Sequence, residues 1–242
     1  NNDILIDKFL SASIDLNFRR ATSKQPVQDP MWWIWAAAPV YAAEWSDGRV
    51  GEGKTGENIY ASLKYGGYNN GWTNQVGGRV SLDFLPIESL KISAIVSPNI
   101  QFYKGKQFSK RVEYYDSENP AVLLGTIGGH DNTNLYENRN DDYSLTLQLL
   151  TNYKKTFGDH NLNAMAGFED YYAFYEYLGA SRRQFELSSF PYLNLGPLEL
   201  RDNSGSAFEN AYHSFFGRIL YDYKNKYLFQ GNIRFDGSSR FH

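Results

Sequence analysis

From Leu10 to Phe18 every even position is apolar, and from Ser11 to Arg19 every odd position is polar. A period of two puts the apolar set on one face of an extended chain, so this stretch predicts a strand. The pattern returns with Val76, Gly78, Val80, Leu82 and Phe84 set against Gln75, Gly77, Arg79, Ser81 and Asp83. A turn over Leu85 to Ser89 leads to Leu90, Ile92, Ala94, Val96, Ile100 and Phe102 on one face, with Pro98 inside the run. Proline donates no ladder hydrogen bond, so a bulge or a weakened pairing is expected there. Tyr143, Leu145, Leu147 and Leu149 mark a fourth strand, and His160 to Leu178 a fifth that is aromatic on both faces beyond Tyr171.

The last stretch has the sharpest pattern. His213, Phe215, Gly217, Ile219, Tyr221 and Tyr223 share a face opposite Ser214, Phe216, Arg218, Leu220 and Asp222. After Lys224-Asn225-Lys226 the alternation resumes, with Tyr227, Phe229, Gly231, Ile233 and Phe235 opposite Leu228, Gln230, Asn232, Arg234 and Asp236. These two runs predict a β-hairpin. Tyrosines near its turn suit a membrane-water boundary, and the charges on its other face suit a wet interior.

Between the alternating runs, residues 21–72, 104–142 and 179–211 read as long polar connections, whereas the other connections are short. Strict alternation of long and short links is what an outer-membrane barrel shows, with tight periplasmic turns and long outer loops. The expected fold is therefore all-β: an antiparallel transmembrane barrel segment of about seven strands, with Ile219, Ile233, Leu145 and Val80 facing lipid. Single-chain bacterial barrels have an even number of strands, at least about 8, so an odd count points to a piece of a larger wall.

Composition agrees. The 242 residues include 19 Tyr, 16 Phe and 5 Trp, yet mean hydropathy is −0.53. No apolar run approaches the roughly 18 residues of a spanning helix; Met31 to Ala43 is too short and contains Pro39. Only every second residue of a membrane strand meets lipid, which reconciles high aromaticity with a polar average. A soluble β-sandwich would share the alternation. Net charge is −3, giving no basic field for nucleic acid. The absence of cysteine excludes thiolate chemistry and disulfides. The opening NNDILIDKFL lacks the basic start and apolar core of a signal peptide, so the chain is expected to begin within a mature protein.

Candidate chemistry is sparse. Gly48 to Thr55, GRVGEGKT, fits the P-loop pattern letter for letter, but AAEWSD before it does not make a buried strand. A glycine-rich surface loop is favoured, although GENIYASLKY after it could form a short helix. Trp32, Trp33 and Trp35, with Trp45 and Trp72, form either an aromatic platform for a sugar or partner, or loop packing and a membrane-edge anchor; packing is favoured. HDNTNLYENRNDD, within residues 128–142, could offer oxygens to calcium but lacks the EF-hand glycine and terminal Glu, so a solvated loop is favoured. Arg79, Asp83, Arg218, Asp222, Arg234 and Asp236 are candidates on the polar face, either as a structural charge ladder or as substrate contacts. Glu169 and Asp170 are adjacent and must point to opposite faces, so they are no glycosidase pair. No catalytic constellation, cofactor motif or metal spacing is evident.

From Phe216 to Phe241 the sequence resembles the signature GR..YdYk.kYlf..n.R.DGSSrF of SusC/RagA-type TonB-linked outer-membrane transporters. The resemblance implies an outer-membrane location in a Gram-negative, Bacteroidetes-like cell and a wall of about 22 strands, of which residues 1–242 form part. It further implies import of a glycan or peptide, a SusD-like surface lipoprotein as partner, and contact with TonB through a plug that lies outside this chain. The other readings are a soluble carbohydrate-binding module and, remotely, a P-loop nucleotide-binding protein.

Overall fold

A computed structural model describes residues 2–32, 34–186 and 189–240. Eight strands form one antiparallel sheet in chain order: β1 (Asn2–Asp7), β2 (Leu10–Gln25), β3 (Gly67–Ile87), β4 (Leu90–Ser109), β7 (Asn134–Phe157), β8 (His160–Arg183), β9 (Arg201–Tyr223) and β10 (Tyr227–Ser238). Two short strands, β5 (Glu113–Tyr115) and β6 (Leu123–Thr126), pair with each other inside a connection. Every sheet neighbour is also a chain neighbour within this set, so the wall is an up-and-down meander. β1 adds an eighth strand to the expected seven. Its six residues hold Ile4, Leu5 and Ile6 in a row, which gives no alternation to read.

Register puts the expected sets on common faces. Ile14, Val80, Val96 and Leu147 lie on one rung, as do Ala164, Ile219 and Gly231 on another. Val80, Leu145, Ile219 and Ile233 are all among the exposed apolar residues of that face. On β7 the apolar run Tyr143 to Tyr153 covers about 33 Å of strand, or about 23 Å along the normal at a tilt of about 45°, close to the roughly 25 Å apolar band of an outer-membrane barrel. Tyr143 stacks on Phe174 at its upper margin, with centroids 5.7 Å apart, and His160 packs on Tyr223 at its lower margin, 4.8 Å apart.

Pro98 weakens one pairing without a bulge. The β3–β4 ladder omits Gly78 and Arg79, opposite Pro98 and Ser97, and resumes in the same register. The β4–β7 ladder runs unbroken through Pro98 and Leu145. The missing proline N–H is thus lost on one edge only.

The strands outrun the expectation at one end. β7 and β8 have 24 residues each, whereas crossing a bilayer takes about 9–11. Stretches taken as connections, such as Gly67 to Trp72 and Lys104 to Ser109, are therefore strand. There polar residues such as Asn69 and Asn70 stand on both faces and leave no period-two signal.

The described residues of 26–66 fold together with 110–133 above the sheet. Ala61, Val112 and Ile127 form their core, with Val50, Tyr65 and Tyr114 packed around it. Helix α1 (Ile59–Tyr65) starts where the Asn58 side chain accepts from the Ala61 N–H at 3.0 Å. The same amide donates to the carbonyls of Ala43 and Gly51 at 2.6 and 2.8 Å. His130 is fully buried beside it, its Nε2 2.7 Å from Ser62 Oγ and its Nδ1 3.2 Å from the Lys110 carbonyl. Residues 184–186 and 189–200 instead fold against the upper part of the apolar face, where Phe185 packs with Phe108 and Leu135.

Burial holds the His130 imidazole below its ordinary pKa, against the opposing pull of the Lys110 carbonyl and Asp131. The unfolded histidine takes up a proton near pH 6.5 while the folded one resists it, so this stability is intact above about pH 6.5 and falls as pH drops toward the depressed value. Hydrogen exchange should therefore speed up across residues 59–66 and 110–130 between about pH 7.5 and 5.5 after correction for intrinsic rates, and His130→Gln should flatten that dependence. Unchanged protection in the wild type would refute the assignment.

Candidate functional site

The polar face carries the side chains that could meet a solute. Its densest cluster spans β7 to β10. Gln148 Nε2 donates to Glu169 at 2.5 Å, and Glu169 lies 3.5 Å from Arg234 Nη2. Arg234 also donates to Ser214 Oγ at 2.9 Å and to Asp236 at 2.7 Å, while Ser214 donates to Asp236. Its guanidinium sits 5.4 Å from the Phe216 ring centre. Sequence reasoning found Arg234 and Asp236 but missed Gln148, Glu169 and the wholly buried Ser214 as members. A strand pattern says which face a residue is on, and only the register says which rung. Gln148, Glu169, Ser214 and Asp236 share one rung across four strands.

The other candidates do not join this cluster. Asp83 pairs with Lys91 at 2.9 Å and accepts from Ser93 at 2.5 Å, two strands from β7. Arg79 stands opposite Asp15 on β2. Arg218 faces Asn232 and Met165, exposed to solvent. Asp222 accepts from the Asn225 backbone N–H at 3.0 Å and from Asn161 at 3.1 Å. It holds the last turn, where Lys224 and Asn225 both take positive φ, and so has a local structural task. Glu169 and Asp170 do face opposite ways: Asp170 meets His213 at 2.6 Å on the apolar side.

Of the tryptophans, Trp35, Trp45 and Trp72 make separate contacts. Trp32 lies in a 3-10 turn, Pro30–Trp32, and Trp33 lies outside the described residues. Trp35 is exposed, with Lys54 Nζ 4.7 Å from its ring centre. Trp45 donates its indole N–H to the Tyr115 carbonyl at 3.1 Å, tying the two folded connections together. Trp72 belongs to β3 and faces the apolar side, under Lys104 Nζ at 5.5 Å.

Gly48 to Thr55 lacks the frame of a phosphate cradle. In place of a preceding strand, Glu44 makes an isolated bridge to Val50 inside the loop. Gly48, Gly53 and Thr55 take positive φ, and Lys54 bridges to Glu57. The seven-residue helix starts only at Ile59, its first turn already capped by Asn58. Most of HDNTNLYENRNDD is the start of β7, and the Asp131 carboxylate accepts from Thr126 at 2.5 Å. Among the described residues no group of three or more His, Asp or Glu side chains converges as a metal site.

No protein-family model matches the chain. The TonB-dependent receptor P39 of Formosa agariphila is 32% identical over 157 residues, covering 62% of this chain and 14% of that protein. The TonB-dependent receptor SusC of Bacteroides thetaiotaomicron is 29% identical over 99 residues, 41% of this chain and 10% of its own length. A structure of the RagAB peptide importer in the open-open state covers 99% of this chain with a TM-score of 0.71, at 18% identity. The chain thus resembles part of the SusC/RagA-type TonB-dependent transporters. It spans 27% of that importer chain, and its open sheet matches a β-barrel fragment of a TonB-dependent transporter. The proteins this chain resembles are named as receptors and importers, which supports a non-enzymatic role.

For a glycine-rich surface loop, millimolar ATP with magnesium should leave the melting temperature unchanged, and Lys54→Ala should bind no less nucleotide than the wild type. A working P-loop at about 100 times its dissociation constant would gain about 2.7 kcal/mol, an easily measured shift. Magnesium-dependent stabilisation by ATP that disappears in Lys54→Ala would overturn this assignment.

Proposed function

We propose that residues 1–242 form about a third of the wall of a roughly 22-stranded outer-membrane barrel that imports a bulky nutrient, a glycan or a peptide. The observation that carries this reading is the division of one eight-stranded sheet into two chemistries. One face bears an exposed apolar band of bilayer height, and the other bears the Gln148, Glu169, Arg234 and Asp236 network. A soluble sandwich would bury its apolar face against a second sheet; here many described apolar residues of that face, Leu16, Val80, Leu149 and Ile219 among them, stay exposed. The edge strands β1 and β10 each present an unpaired ladder that neighbouring wall strands would satisfy.

In this reading the polar face lines the lumen, and its donors and acceptors give a solute a wet path without reactive groups. The connections 26–66, 110–133 and 184–200 stand at the cell exterior, where a SusD-like lipoprotein would dock; exposed Trp35 and Tyr41 are available contacts. Coupling to TonB would run through a plug outside these residues.

Topology gives the test. In cells making the full-length protein, a cysteine at Tyr41 should react with a membrane-impermeant maleimide, and one at Asn225 should react only after the outer membrane is opened. Labelling of Asn225 but not Tyr41 in intact cells would invert the arrangement, and labelling along the whole apolar face would refute the membrane wall.

A further inference from the structure

Just above the apolar band, its own face changes character over three successive rungs on β2, β3, β4 and β7. The first rung holds Arg20, Asn74, Phe102 and Asp141, and the second holds Thr22, Trp72, Lys104 and Arg139. The third holds Lys24, Asn70, Lys106 and Glu137. Glu176 extends the first rung on β8. Only part of this positive charge is answered. Glu137 pairs with Lys106 at 3.0 Å and with Arg139 at 3.7 Å. Arg20, Lys24 and Lys104 are exposed, and Lys104 instead leans over Trp72. Lys104 and Arg139 are directly opposite each other, an arrangement of like charges that costs stability unless an anion sits between them.

The strip has a floor and a ceiling. Below it lies the aromatic margin made by Tyr143 and Phe174. Above it Phe185 packs on Phe108 and Leu135, and the Tyr192 ring lies 4.4 Å from Lys106 Nζ. Three rungs span about 13 Å of strand, or about 9 Å along the normal at a tilt of about 45°. A bilayer's headgroup layer is about 5–8 Å deep on each side. Tryptophan beside lysine and arginine at that depth is the usual composition of a membrane-boundary anchor.

We propose that Arg20, Lys24, Lys104 and Arg139, with Trp72 as the packing surface, form a docking site for the phosphate groups of outer-leaflet lipid. The proposal rests on the barrel reading, since it takes its depth from the apolar band directly beneath. Its occupant follows from charge and position: an anion held at headgroup depth, continuous with the lipid-facing surface. The short-turn end carries Lys8, Lys155, Lys224 and Lys226, each over an aromatic neighbour, and among the described residues has no comparable three-rung strip.

The test uses the full-length protein in phosphatidylcholine nanodiscs doped with phosphorylated lipid A or with the same lipid stripped of phosphate. Native mass spectrometry after release reads the lipid retained. The wild type should favour the phosphorylated form, each unanswered cation contributing about a fivefold preference. The combined variant Arg20→Gln, Lys24→Gln, Lys104→Gln should lose most of it, while Lys155→Gln with Lys226→Gln should keep it. Heat-modifiable migration on gels checks that each variant forms its barrel; should the triple variant fail there, the single Lys104→Gln is read instead and should lose about fivefold. Equal preference in the wild type and the folded variant overturns the site, as does a wild type that inserts and shows no preference. A wild type that does not enter the bilayer at all overturns the membrane reading and the site with it.

Discussion

A wall in lipid has no water to satisfy its backbone, so every N–H and C=O at bilayer depth must find a partner in a neighbouring strand. The rest of this structure follows from that requirement. It explains the unbroken ladders of β7 with β8 and β8 with β9, each paired over nearly their whole length. It also explains why Pro98 is tolerated: the ladder toward β7 stays intact, and the gap toward β3 covers only two rungs. With the backbone committed to its neighbours, side chains alone decide what each face meets, and period two assigns them alternately to lipid and to water.

That same constraint made the membrane part of the fold legible. Where lipid lies on one face, as from Leu10 to Phe18 or from Phe215 to Tyr223, sequence alternation marks both the strand and its orientation. Beyond the apolar band the signal fades because polar residues stand on both faces. Gly67 to Trp72 and the strand ends near Ser109 and Arg183 therefore read as connections, and Trp72 was grouped with loop tryptophans although it stands on β3. Length hid β1, whose run of Ile4, Leu5 and Ile6 cannot alternate.

The polar-face cluster was half legible. Arg234 and Asp236 stood out as charges on a predicted inner face, but Gln148 and Ser214 carry no charge. Their membership depends on four strands being in one register, which comes from ladder geometry across residues separated by more than sixty positions. The folded connections were the least legible. Asn58 and His130 join 26–66 to 110–133 through hydrogen bonds to backbone carbonyls and to Ser62, contacts that no local pattern encodes. The helix that the P-loop pattern appeared to require is present, but its N-terminus serves Asn58 and not a phosphate.

The central claim is that one face of this sheet meets lipid and the other water. Nitroxide labels placed singly at each position from Phe215 to Tyr223 of the full-length protein in bilayers measure it directly, through relaxation by oxygen and by a water-soluble nickel complex. Oxygen access should peak at Phe215, Gly217, Ile219 and Tyr221, and nickel access at Phe216, Arg218 and Leu220, in strict alternation. Equal nickel access at odd and even positions would contradict the account.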